Sequence, residues 1–112
     1  NVFGYIPSLI ALNQTPQALS GAGAVDIVKS ITHVTTAAGA SALTLTNTSV
    51  KNGMIKIIVC TVAGGGTSTL TITGASSTSF DTVAFDAVGE TVVLIQSNSE
   101  WHVLASNGAV IA

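Results

Sequence analysis

The chain has 112 residues, of which only 3 are Lys or Arg and 5 are Asp or Glu, giving a net charge of -2. Ordinary soluble domains place charge on about a quarter of their residues; here the share is 7%. That balance argues against nucleic-acid binding, which needs clustered Lys and Arg to replace phosphate counterions, and Lys29, Lys51 and Lys56 form no run.

Residues 1–24 read as an extended N-terminal arm with a hinge. Val2, Phe3, Tyr5, Ile6, Leu9, Ile10 and Leu12 make it densely apolar, while Pro7 and Pro16 interrupt any regular ladder. Ser20-Gly21-Ala22-Gly23-Ala24 supplies small, turn-prone residues after it. Apolar side chains are costly to leave in water, so Phe3, Tyr5, Ile6, Leu9 and Ile10 are the expected contacts with a neighbouring subunit. Val2 to Ile6 lacks the basic start and unbroken apolar stretch of a signal peptide. A chain beginning at Asn1 without Met reads as processed or as a numbered fragment.

Residues 25–112 read as one β domain. Leu43 and Leu45 alternate with Thr44 and Thr46, and Leu70 and Ile72 with Thr69, Thr71 and Thr73. This period of two puts one set on a core and the Thr set on the opposite face. Met54 to Val62 and Thr91 to Ile95 are more continuously apolar, as central strands buried on both faces are. The expected strands are 25–28, 31–36, 42–46, 54–62, 68–73, 78–85, 91–97 and 100–105, with a short tail at 109–111. Asn52-Gly53 suits a tight hairpin, Gly64-Gly65-Gly66 joins a second pair of strands, and Ser97-Asn98-Ser99 a third. The fold class is all-β, an antiparallel sandwich or barrel of jelly-roll type with an extended N-terminal arm. A solenoid is the other all-β reading, but no fixed repeat period is present.

The candidate chemistry is sparse. Mean hydropathy is +0.65, yet Gly, Thr, Ser or Asn interrupts every apolar run before the roughly 20 residues of a spanning helix, so no membrane role is expected. Gly21-Ala22-Gly23 and Gly64-Gly65-Gly66 lack the following Lys-Ser or Lys-Thr of a phosphate loop. His33 and His102 are too few for a metal site unless three chains each donate one on an axis. The acids Asp26, Asp81, Asp86, Glu90 and Glu100 show no spacing that pairs two carboxylates across a glycosidic bond. No Gly-x-Ser-x-Gly elbow activates a serine. Cys60, the sole cysteine, sits in an apolar run as a buried thiol. Trp101 is the sole tryptophan and the expected core or subunit-interface anchor. No enzyme activity, metal or cofactor is expected.

An ordered series of segments carries a resemblance. It runs Lys56-Ile57-Ile58-Val59, a glycine-rich turn, Thr69-Leu70-Thr71, then Phe85-Asp86-Ala87-Val88-Gly89-Glu90-Thr91-Val92-Val93-Leu94-Ile95. It closes with Trp101-His102-Val103 and Ser106-Asn107-Gly108-Ala109. Over residues 31–112 the chain resembles a small β module of structural proteins in tailed bacteriophages, especially marine and cyanobacterial phages. It departs from that pattern at Val62 to Ser68, where apolar, Gly, Ser and Thr residues replace acidic ones. The resemblance implies a capsid decoration or cement protein, a homotrimer on the outer surface of the virion whose partner is the major capsid protein. A head- or tail-fibre module that binds a host receptor or glycan is the alternative.

Overall fold

The computed structural model describes residues 15–75 and 80–112, so the arm contacts Phe3, Tyr5, Ile6, Leu9 and Ile10 lie outside the described residues. Ten strands and no helix occur among those described: β1 (Gln17–Ser20), β2 (Gly23–Ala24), β3 (Ile31–Thr35), β4 (Ser41–Leu45), β5 (Ile55–Val62), β6 (Ser68–Ile72), β7 (Thr82–Phe85), β8 (Thr91–Ser97), β9 (Glu100–Asn107) and β10 (Val110–Ile111). They form two five-stranded sheets, β1-β3-β5-β8-β9 and β10-β7-β6-β4-β2, packed face to face. The all-β sandwich expected from the alternation is present.

The sheets are mixed where antiparallel pairing was expected. The chain crosses from one sheet to the other at each step from β1 to β6, so β1, β3 and β5 run parallel, as do β2, β4 and β6. The first half therefore winds as three coils. Their lengths differ: Gln17 lies beside Thr32 and Ile31 beside Ile57, and the second sheet pairs Gly23 with Leu43 and Ser41 with Ser68. Unequal coils leave no fixed repeat in the sequence. From β7 onward the pairs are antiparallel, and β10 returns to close the edge beside β7.

Turn residues mark the bends, but two bends are not hairpins. Asn52-Gly53 and the triple glycine carry the chain between sheets, after β4 and after β5. Gly64 N–H donates to Thr36 Oγ1 at 2.9 Å and Gly66 N–H to the Ala37 carbonyl at 2.8 Å, which seats this loop on the β3–β4 crossing. Asn98 and Ser99, both at positive φ, make the two-residue hairpin between β8 and β9. Residues 17–24, inside the expected arm, include the edge strands β1 and β2. No strand forms over 25–28, where Asp26 Oδ1 accepts from the Val28 N–H at 2.6 Å and turns the chain. Of the strand expected over 78–85, the described residues show Thr82–Phe85.

The core lies between the sheets. Val34, Ile58, Cys60, Val92, Leu94 and Trp101 enter from one side; Leu43, Leu45, Leu70, Ile72, Val83 and Phe85 enter from the other. Trp101 is 1% exposed and spans both layers, its indole Nε1–H donating to the Thr46 carbonyl at 3.0 Å.

Candidate functional site

The outer face of the first sheet is the most distinctive surface among the described residues. In β5, alternation sends Lys56, Ile58 and Cys60 inward and Ile55, Ile57 and Val59 outward. In β8 it sends Val92, Leu94 and Gln96 inward and Thr91, Val93 and Ile95 outward. The continuous apolar runs thus have one face on the core and one turned away from it. Among the described residues no second layer covers the outward set, which is half-buried by its neighbours or, at Ile55, exposed.

Register aligns these side chains into rows across the sheet. Ile31, Ile57, Val93 and Ala105 are successive cross-strand partners on four strands. On one side of that row run Ile55, Ile95 and His102; on the other run Ala18, His33, Val59 and Thr91. Leu104, the extra residue of a bulge opposite Val93 and Leu94, stands 58% exposed beside them. None of these residues is Lys, Arg, Asp or Glu; the one carboxylate on this face, Glu100, stands at its margin beside His102. The chain's lysines lie elsewhere: Lys29 and Lys51 in loops, Lys56 inside the sandwich.

The second sheet presents a different outer face. Ala24, Thr44, Thr71 and Thr82 form one row, and Ala42, Thr69, Ala84 and Val110 the next. Thr hydroxyls hydrate this face without charging it.

The other candidates are dispersed. His33 sits on β3 and His102 on β9, with β5 and β8 between them. His102 Nε2 lies 3.3 Å from the Ser97 carbonyl and 3.8 Å from Glu100 Oε1. No group of three His, Cys, Asp or Glu suited to a metal ion occurs among the described residues. Cys60 is fully buried, and burial pushes its thiol pKa up, with the Glu90 carboxylate adding to the shift. Glu90 closes its own turn: Oε1 accepts from the N–H groups of Asp86 at 2.5 Å and Ala87 at 2.9 Å. Asp81 and Asp86 flank β7 on exposed positions. Trp101 is inside the core, 1% exposed.

Sequence reasoning marked β5 and β8 as apolar on both faces but assigned both faces to burial within the domain. The outward set Ile31, Ile57, Val93 and Ile95 was therefore missed as surface. No family model and no curated protein matches the chain.

Proposed function

We propose that the chain is a structural protein of an assembled particle, a trimeric decoration or cement subunit that stabilises a bacteriophage head by bridging capsid subunits. The observation that carries this reading is the apolar outer face of the first sheet, with Glu100 at its margin as its one carboxylate, and the occupant proposed for it is a further copy of the same chain. Five strands about 4.8 Å apart and about six residues long give a projected area of about 500 Å². Covering this face removes about 500 Å² of largely apolar surface from water on each subunit, which favours association. A closed trimer joins different patches of neighbouring copies, and the one carboxylate of this face, Glu100, lies at its margin beside His102. The bacteriophage setting rests on the resemblance over residues 31–112. Such a trimer binds the finished lattice and not its separated subunits, so it stabilises the lattice by mass action.

Sedimentation of the full chain tests the self-association. The wild type is expected as a trimer and Ile57→Lys as a folded monomer, because a lysine in the central row buries an unpaired charge in the contact. A wild type that stays monomeric at its highest soluble concentration overturns the reading. Copy number in purified particles then separates the two virion roles: parity with the shell subunit supports decoration, whereas a few copies per particle supports a fibre.

A further inference from the structure

A cavity of about 140 Å³ opens at one end of the sandwich, between the loop 26–30 and the start of β5. Ile27, Met54, Lys56 and Trp101 line it, with the exposed side chains of Val28 and Ile55 on its solvent side. Lys56 is 2% exposed, and its ammonium donates one hydrogen bond, to the Lys29 carbonyl at 2.7 Å. An ammonium has three donors, and a buried charge without an ionic partner is strongly disfavoured. The ion pair found among the described residues is His102 with Glu100, not one of Lys56. Asp26 lies near enough to favour the charged amine, but its Oδ1 accepts from the Val28 N–H.

A second buried polar group stands beside the first. Gln96 is 1% exposed, and neither Nε2 nor Oε1 has a partner. Its backbone pairs with Met54, and Trp101 is its cross-strand neighbour. Gln96 therefore adjoins two of the residues that line the cavity, Met54 and Trp101. A cation, an unpaired amide and apolar walls occur together at one end of an otherwise apolar core.

We infer that this cavity is a binding site for a small monocarboxylate with a short apolar tail, its carboxylate held by the Lys56 ammonium. One ammonium balances one negative charge, so a monoanion fits and a doubly charged phosphate does not. Cavities of this size hold about six heavy atoms, and Ile27, Met54 and Trp101 suit a hydrocarbon tail. The site meets the outer face at Ile55 and does not rest on the function proposed above.

The test is an amide and indole N–H chemical-shift titration of the full chain with sodium propionate, at ionic strength held constant with sodium chloride. A saturable shift is expected at the Trp101 indole and at residues 27–30 and 54–56, with a Kd on the order of millimolar. Propanamide, the neutral counterpart, is expected to bind at least about tenfold more weakly, as is propionate to Lys56→Met, since one lost charge-assisted bond is worth about that factor. No saturable shift with propionate overturns the inference, and so does equal binding of propanamide. Displacement of propionate by inorganic phosphate at equal concentration overturns the carboxylate class. Because the propionate–propanamide comparison uses the wild type, it decides the matter even where Lys56→Met fails to fold.

Discussion

Lys56 occupies a core position because β5 alternates, and the strand continues through it with Ile58 and Cys60 on the same face. Burial lowers its pKa from 10.5 to about 8, against a smaller opposing pull from Asp26. Below pH 8 the amine is charged in both folded and unfolded chains, and the folded state bears the full cost of the buried ammonium. Between about 8 and 10.5 the unfolded chain holds the proton that the folded chain has released. Stability from this residue therefore rises with pH across that window and levels off above it. The expected gain is about 2–3 kcal/mol, read as the difference in urea midpoints between wild type and Lys56→Met at pH 7.5 and pH 10. Lys56→Met is expected to be the flatter of the two with pH and at least as stable at neutrality. Trp101 and Cys60 were legible as interior residues, since each sits in an apolar strand. Lys56 and Gln96 were not, because their inward placement shows only when the phase of each strand is followed through a polar residue.

At the scale of the element, the crossing after β5 depends on glycine for packing more than for bending. A Cβ on Gly66 meets the backbone carbonyl of Gly39 and that of Ala37, and one on Gly64 meets the Thr36 carbonyl, all at distances no real Cβ tolerates or nearly so. Gly39 itself faces open space. Gly66→Ala is expected to cost about 2–3 kcal/mol, as overpacking against immovable backbone does. Gly39→Ala is expected within about 0.5 kcal/mol of wild type; thermal melts of the two variants check both. The positions of β4 and β6 followed from alternation and those of β5 and β8 from continuous apolar runs, because one face of each is fixed by the core. Which sheet a strand joins did not follow. A Gly-rich or Asn-Gly turn states that the chain bends, and the same residues serve a hairpin or a step across the sandwich. Strands β1 and β2 escaped notice because both lie at sheet edges and are short, with few residues to establish a pattern.

The whole molecule has two broad faces of opposite character, one of Ile and Val, the other of Thr and Ala. The association proposed for the first is apolar, so raising sodium chloride from about 0.05 to 1 M is expected to leave it intact, since screening acts on charges and this face has one carboxylate, Glu100, at its margin. Sodium sulfate is expected to strengthen it by excluding itself from protein surface. Sedimentation across the salt series reads both, and dissociation by sodium chloride alone counts against this face as the contact. The low charge visible in composition becomes spatially specific here, because the few charged side chains occupy loops, strand ends and one core position.

The unequal coils also set an order of events during synthesis. β1 pairs with no strand but β3, and β3 then awaits β5, so the earliest strands to emerge have no hairpin partner close behind them. Parallel pairing across such separations requires large loops to close before any ladder forms, which slows folding and leaves strand edges open meanwhile. The later hairpins, above all β8 with β9, can form locally and offer the template on which the earlier coils are laid down. Nascent chains stalled before residue 91 would lack that template altogether, leaving the half of the protein made first dependent on the half made last.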